Sequence, residues 1–376
     1  MAVAPGSPHD EILRPLHAAH LAALPAGATW FDAHTHIGHD DPDGFKADPE
    51  DLLAGLDSAS QHRALVFPSQ EPGGYPPAND RVLEACAASG GRLQALARID
   101  PNAEGALDEA RRCLEAGARG FKLHPRSDRF ALPHPVVEQV VALAGEARAA
   151  VLFHAGRGIP HLGESVVHMA REHHGARLIL AHAGISDTGW IAPYAAELPN
   201  LFFDTAWWQV SDLLALFTTV PPGRILYASD MPYGSPLFHS LAFLRCALSV
   251  GLEGDALRAI AGESVERVLA GEEPVDVGPA PGSARLGPRD VAFERVVAHC
   301  SVAANLSFRE QPVDEPLALA QLACHRADEH PVAVAIGALL AAGRDAVARG
   351  GGTRDEAMHA AIGAQLLAGT AALDLV

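Results

Sequence analysis

Trp30-Phe31-Asp32-Ala33-His34-Thr35-His36-Ile37-Gly38 is the run that decides how the rest of the chain is read. It has the pattern of a strand ending in two histidines one residue apart. Successive side chains of a strand point to opposite faces, so His34 and His36 share one face near the strand's C-terminal end, where one metal ion could accept both imidazoles. In a chain with 20 histidines such a pair also arises by chance, so its meaning depends on the spacing of the later segments.

Seven further segments, 62–69, 93–100, 118–124, 150–155, 177–183, 200–205 and 224–230, are aliphatic, β-branched or aromatic runs that end in polar or small residues. They recur at intervals of about 23 to 32 residues, which is the length of one strand plus one helix. Helical patterns fill most of the gaps, at 80–88 behind an Asn79 cap, 103–116, 135–149, 165–173 and 235–250. Eight strand-helix repeats predict an α/β fold, a parallel (β/α)8 TIM-type barrel. In such a barrel the chemistry gathers at the C-terminal ends of the strands. His34 and His36 end the first strand, Lys122 and His124 the fourth, His154 the fifth, His182 the sixth and Asp230 the eighth. Any one of them alone is more simply a hydrogen-bonded core or loop residue. Their recurrence at one end of successive strands points to a metal site.

These residues also carry a family resemblance. The motifs HTH at 34–36, FHAG at 153–156, LAHAG at 180–184 and YASDMPYG at 227–234 resemble the metal-dependent amidohydrolase superfamily. The amidohydrolase-related branch is the closest, with its lactonases and its non-oxidative decarboxylases of aminocarboxymuconate semialdehyde and resorcylate. The resemblance spans about residues 29–271. It implies that His34, His36, His154 and Asp230 are metal ligands. It makes His182 either a ligand of a second metal or a catalytic histidine beside the first.

Neutral imidazoles and a carboxylate suit one or two divalent ions, Zn2+ first, with Mn2+, Fe2+ or Co2+ as alternatives. Water on such an ion ionises with a pKa of about 7 in favourable cases. Asp230 would take the proton and hand it to a leaving group, and His182 would orient a polarised carbonyl or shuttle the proton. Asp32 shares the parity of His34 and His36, so alternation points it inward as an acceptor behind the ligands or as a buried structural carboxylate.

Lys122 is one of only two lysines beside 26 arginines, the other being Lys46 in a polar loop. Three readings fit it. A desolvated amine can react with carbon dioxide to a carbamate that bridges two metals, as strand four supplies in two-metal members of the resembled superfamily. An ammonium could pair with a substrate carboxylate or with Asp230. A structural lysine would snorkel at the rim. His124 shares its parity nearer the mouth and is a candidate substrate contact. Arg98 could clamp a substrate carboxylate or be tied to Asp100. Trp207 and Trp208 could wall an apolar substrate or pack in the core. Asp204, His39, Arg157 and Tyr233 are further pocket candidates.

A net charge of −18 and a pI near 5.5, with no basic patch, argue against nucleic-acid or anionic membrane partners and leave a small-molecule substrate. Neither a signal-peptide pattern nor an unbroken run of about 18 apolar residues is present, so cytoplasmic placement is the default reading. Cys86, Cys113, Cys246, Cys300 and Cys324 are scattered without CxxC spacing and read as reduced and mostly buried.

The catalytic barrel is expected over 1–275, with an amphipathic helix at 10–24 that caps its bottom or packs on its side. A Pro/Gly-rich linker comes next at 276–289, then an all-α region at 290–376 with helices at 290–304, 316–328, 331–349 and 354–373. The last of these, rich in Ala and Leu, suggests packing on the barrel or a homo-oligomer interface. His299, Cys300, Cys324 and His325 lie too irregularly for a metal site and read as helix packing. Three functions fit these features. The first is metal-dependent hydrolysis of an amide, lactone or ester, which the KLHP run at 122–125 favours. The second is metal-dependent decarboxylation of an aromatic or unsaturated acid. The last is a catalytically silent metal-binding scaffold.

Overall fold

The computed structural model describes residues 8–156, 158–325, 330–350 and 354–373. Arg157, a pocket candidate, and 326–328 of an expected helix lie outside them. Among the described residues nine strands run in parallel order: β1 (Phe31–Ile37), β2 (Arg63–Pro68), β3 (Leu93–Ala95), β4 (Ala97–Arg98), β5 (Gly120–Leu123), β6 (Ala150–Phe153), β7 (Arg177–Leu180), β8 (Leu201–Asp204) and β9 (Ile225–Leu226). β3 and β4 together occupy the place of the third barrel strand. The break falls at Leu96, whose N–H turns back to Val66 O at 3.0 Å. β9 pairs with β8, and the chain beyond it closes the ring onto β1 through Ala33 N to Tyr227 O at 2.9 Å and His36 N to Met231 O at 2.7 Å. The result is the expected (β/α)8 TIM-type barrel with appended C-terminal helices.

The strands close into a ring because their side chains fill it. Phe31, Ala33, Leu65, Phe67, Leu152, Ile179, Phe202 and Leu226 form the interior cluster, plugged by Val265 and Val268 of the helix Ser264–Ala270. The outer helices bury their apolar faces on the strands. Pro135–Ala147, for example, buries Val137, Val140, Val141 and Ala144.

Two local readings are corrected. Asn79 lies inside the helix Pro76–Ala88 and does not cap it, because its side chain is used elsewhere. Its Oδ1 accepts from Arg98 N at 2.9 Å and its Nδ2 donates to Arg98 O at 3.1 Å, clasping the short β4 where the strand ladder is interrupted. A helix at Pro49–Ser58, absent from the periodicity reading, starts at Asp48-Pro49 with Asp48 N–H donating to Asp51 at 3.0 Å. The D-P-x-D start was its signal.

Four helices, Val291–Phe308, Asp314–Cys324, Pro331–Arg349 and Arg354–Gly369, come after an irregular stretch broken only by a helical turn at Ser283–Arg285. The last helix is enclosed by the first and third of this group, by the N-terminal helix Pro8–Leu21 and by Val210–Thr219. Its apolar residues Ala361, Ala364 and Leu367 are fully buried. Among the described residues, Pro331–Arg349 alone has the length and apolarity of a membrane span, and it carries Arg344 and Asp345 and packs within this helical group. Cys300 and Cys324 are buried in helix packing.

The N-terminal helix packs on the barrel's side, against Pro236–Ser249. Arg245 of that helix is fully buried and donates to Thr370 Oγ1 at 2.8 Å, to Thr370 O at 3.0 Å and to His20 Nε2 at 3.1 Å, tying three parts of the chain together. His20 Nδ1 in turn meets Leu16 O at 2.7 Å, and His17 meets Ser240 Oγ at 2.8 Å. Burial pulls His9, His17 and His20 down to about 4. Against an unfolded value near 6.5, the unfolded chain binds protons that the folded chain refuses, so stability present above pH 6.5 is lost as the pH falls toward 4. Amide hydrogen exchange, corrected for its intrinsic rate, should therefore show protection of Pro8–Leu21 falling between pH 7 and pH 5, ahead of β5 to β8. Equal protection at both pH values would contradict neutral, buried rings.

Candidate metal centre

The centre is built where β1 meets the segment after β9. The β1–β2 register slips by one residue between Asp32 and Thr35, and this slip sets which residues face inward. Phe31 and Ala33 pack with the interior cluster, and beyond the slip His34 and His36 turn into the mouth. Of the two readings of Asp32, the structure bears out the buried structural carboxylate and not the acceptor behind the imidazoles. Its Oδ1 accepts the backbone N–H groups of His34 and Ser229, both at 3.0 Å, and so pins the two strands at the seam. Burial pushes this carboxyl up to about 7. Asp230 N donates to His34 O at 2.8 Å, which fixes Asp230 beside the histidines. Asp230 and His182 both hold left-handed backbone at φ 57°, a conformation costing about 1–2 kcal/mol in an ordinary L-residue and held here by the surrounding hydrogen bonds.

Three acceptor atoms converge. His34 Nε2 lies 3.2 Å from His36 Nε2 and 3.1 Å from Asp230 Oδ1, and His36 Nε2 lies 3.2 Å from the same oxygen. The partners of the other ring nitrogens assign the tautomers. His34 Nδ1–H donates to Asp204 Oδ2 at 2.8 Å, and His36 Nδ1–H donates to Pro68 O at 3.3 Å, so each Nε2 turns a lone pair to the middle. Lone pairs and a carboxylate facing one another at this spacing repel unless a cation lies among them. Ligand atoms about 2.1 Å from a metal are about 3.0 Å apart at octahedral and about 3.4 Å apart at tetrahedral angles, which brackets the observed separations. The donor set therefore fits a divalent ion.

The two carboxylates draw positive charge to this point. Burial and the Lys122 charge oppose protonation of His34, yet Asp230 and Asp204 outweigh them and raise its pKa. Burial pulls His36 down to about 3 despite its contact with Asp230. Burial would push Asp230 up, but the His34, His36 and His182 imidazoles around it hold this carboxyl well below its usual range.

Three more histidines line the same mouth. His182 Nδ1–H donates to Ala206 O at 2.7 Å, and its Nε2 faces His154 Nδ1 at 2.9 Å. His182 belongs with His34 and Asp230 to one cluster of metal-ligand spacing. His124 stacks on His154 with ring centroids 3.8 Å apart, so it supports that ring as well as facing the mouth. Burial lowers the pKa of all three and keeps them neutral. Lys122 is fully buried, with Nζ 3.3 Å from His34 Nε2 and 4.8 Å from the Phe67 ring centre; burial brings its pKa down to about 7. It is no rim lysine.

Other candidates fall into place or out of it. Arg98 is 1% exposed and pairs with Asp128 at 2.9 Å and Ser127 at 2.5 Å, so its guanidinium is committed inside the protein and not to Asp100. Its link to the centre is Pro68 O, 3.5 Å from its Nη1, the same carbonyl that His36 meets. Tyr233 stands edge-on to His36 at 5.0 Å, with its hydroxyl on Asp41 at 2.5 Å. Trp207 approaches His182 at 6.0 Å and donates from Nε1 to Asp212 at 2.7 Å. His39 lies outside the centre, paired at the surface with Asp48 at 2.7 Å. Sequence reasoning undervalued Asp204, which accepts from His34 Nδ1–H and, at 2.8 Å, from His182 N. Its place at the end of β8 was the available signal.

Residues 31–269, more than half of the chain, match the family model described as Amidohydrolase. No curated protein matches the chain. Similar solved structures include an uncharacterised TIM-barrel protein from Bordetella bronchiseptica, at 15% identity and a TM-score of 0.53, with 65% of this chain and 99% of that one covered. An amidohydrolase from Burkholderia multivorans with bound zinc has the same identity, TM-score and coverage. The 2,6-dihydroxybenzoate decarboxylase from Rhizobium matches at 15% identity and a TM-score of 0.51, covering 64% of this chain and 98% of that one. At these identities the likeness is one of fold, and the family match is what places the sequence: the chain belongs to the amidohydrolase family.

Proposed function

We propose that the chain is a metal-dependent hydrolase that cleaves an amide, lactone or ester bond in a small molecule. The observation that carries this reading is the convergence of His34 Nε2, His36 Nε2 and Asp230 Oδ1 at the barrel mouth, with Asp230 its most open member. The Asp230 side chain is 21% exposed, against 1% for His34 and 5% for His36. When bound by His34, His36 and Asp230, with His154 and His182 adjoining, a divalent ion supplies Lewis acidity that polarises a carbonyl and makes water more acidic, and zinc suits the donors best.

The chain's own groups divide the remaining work. Asp230, reached from the mouth, takes the proton of the attacking water and delivers it to the leaving group. His182 is neutral with Nδ1–H committed to Ala206 O, so its Nε2 is an acceptor. That suits a proton relay better than direct support of an oxyanion. Asp204 holds the His34 ring in the tautomer that turns Nε2 inward. Lys122, against the Phe67 face, acts as an amine beside one ion.

A second reading is decarboxylation of an aromatic or unsaturated acid. It is favoured by the fully buried Lys122, whose positive charge beside the centre would draw a substrate carboxylate. The fold likeness to 2,6-dihydroxybenzoate decarboxylase is consistent with it. A panel of lactones, amides, esters and hydroxybenzoic acids separates the two: acid release in a pH-stat marks lactone or ester hydrolysis, release of free amine marks amide hydrolysis, and carbon dioxide release marks decarboxylation.

Asp230→Asn should lower kcat by about 10²- to 10⁴-fold, read on the substrate that panel identifies. An unchanged kcat would remove Asp230 from proton transfer. Asp204→Asn should weaken zinc binding by about 10- to 100-fold in a competition titration with a chromogenic chelator, since the imidazole loses its anchor. Metal content by plasma mass spectrometry, on protein prepared with bicarbonate and without chelator, should give about one zinc per chain, retained in Lys122→Met. About two, dropping to one or none in Lys122→Met, would assign Lys122 as a carbamate bridge instead.

A further inference from the structure

We propose that Arg98 is a positioning residue for the metal centre, setting the half of the centre that stands on β1 against the half that stands on β5 and β6. This rests on the metal reading of the centre and not on the reaction assigned to it. The strand ladder falls into two sheets, β1 to β3 and β4 to β9. His34 and His36 belong to the first sheet, and Lys122, His124 and His154 stand on or just beyond β5 and β6 of the second. The sheets meet at two places. One is the seam between β1 and the chain after β9, which carries Asp230. The other is the break between β3 and β4, and Arg98, which ends β4, reaches to both sides of it.

Towards the first sheet, Arg98 Nη1 comes within 3.5 Å of the Pro68 carbonyl at the end of β2, which also accepts from His36 Nδ1–H at 3.3 Å. Towards the second, Nη2 donates to Ser127 Oγ at 2.5 Å and to Asp128 Oδ1 at 2.9 Å, and Nε to Asp128 Oδ2 at 3.4 Å. Ser127 and Asp128 form the turn after β5 that grips His124: Ser127 N donates to His124 Nδ1 at 3.2 Å and Asp128 N to His124 O at 3.0 Å. His124, so held, stacks on His154 with the rings 12° from parallel. One guanidinium thus touches the support of His36 on one sheet and the support of His124 and His154 on the other.

Arg98 is itself held in place. Asn79 bonds its backbone N–H and carbonyl, the Tyr75 ring lies 4.7 Å from its guanidinium carbon, and the Tyr75 hydroxyl donates to Asp128 at 2.5 Å. Stability alone does not call for such a cluster. The Arg98 and Asp128 side chains are 2% and 3% exposed, and a buried ion pair gives up hydration that its own attraction only roughly repays, so apolar replacement of such pairs is often neutral or stabilising. A rigid fork of five N–H groups meets a carboxylate with two prongs while it also reaches a hydroxyl and a carbonyl, which the single nitrogen of a lysine does not do. The pair borders a cavity of about 310 Å³ lined also by Tyr75, Ile99 and Asp100, so removing the guanidinium opens its place to water and leaves no sealed void.

The test uses two variants of the full chain. Arg98→Met/Asp128→Asn removes both charges and keeps an acceptor for the Tyr75 hydroxyl. Arg98→Lys keeps a cation beside Asp128 without the fork. Three quantities are measured: zinc affinity by competition with a chromogenic chelator, the visible absorption bands of the Co2+-loaded protein, and thermal melting of the metal-free protein. The expected result is melting close to native in both variants, zinc binding weakened by about three- to tenfold, and shifted cobalt bands, since the bands report the arrangement of the ligands. Native zinc affinity and native cobalt bands in the folded double variant overturn the proposal. If the double variant does not fold, Arg98→Lys decides by the same two readouts. Weaker zinc binding that comes with a lower melting point and unchanged cobalt bands also overturns it, because general loosening then explains the loss. A native protein that takes up neither zinc nor cobalt overturns the metal reading together with this one, whereas native uptake with unaffected variants overturns the role of Arg98 alone.

Discussion

The seam that closes the barrel is the constraint on which the rest depends. A ring of parallel strands is complete only when the last pairs with the first, and here that pairing runs through Ala33, His34 and His36 on one side and Tyr227, Asp230 and Met231 on the other. The hydrogen bonds that close the ring are made by the residues that carry the donor atoms, or by their immediate neighbours. Closing the ring therefore also brings the donor atoms together. Asp32, dry and bonded to both sides of the seam, holds the register there.

Charge explains why the centre is built as it is. Three acceptors set 3.1 to 3.2 Å apart are unfavourable alone, and the protein spends stability to hold them. Asp204 orients one ring, the Pro68 carbonyl a second and the Ala206 carbonyl a third. Each leaves a nitrogen lone pair turned inward. Arg98 nearby is paired with Asp128, and the buried Lys122, brought down to about 7, exchanges its proton near neutral pH. The site is thus arranged to hold a cation.

Outside the barrel, apolar burial and one polar bridge govern. The last helix has few charges and sits among its neighbours, and the apolar side chains left outside belong to the helices around it, such as Val302, Leu322 and Val334. Gln365 links this group to the loop after β8, and Arg245 links it to the N-terminal helix and the barrel side. Through these few bonds, helices beyond the family match are tied to the loop after β8 and to the barrel side.

Sequence alone determined the barrel, because a strand buried on both faces and a helix buried on one leave different periodicities, and eight alternations admit few other folds. It also brought His34, His36, His154, His182 and Asp230 to one end, because strand direction is common to all parallel strands. What it could not determine is whatever depends on an exception to alternation or on contacts between distant segments. The slip after Asp32 changes which residues face inward, and nothing in the local pattern announces it. Asn79 looked like a cap until Arg98 lay beside it, and Arg98 looked like a substrate clamp until Asp128 did. Asp204 and Gln365 act across 170 and 155 residues, on His34 and Val210. Such pairings are set by how the whole chain packs, so only the tertiary structure decided them.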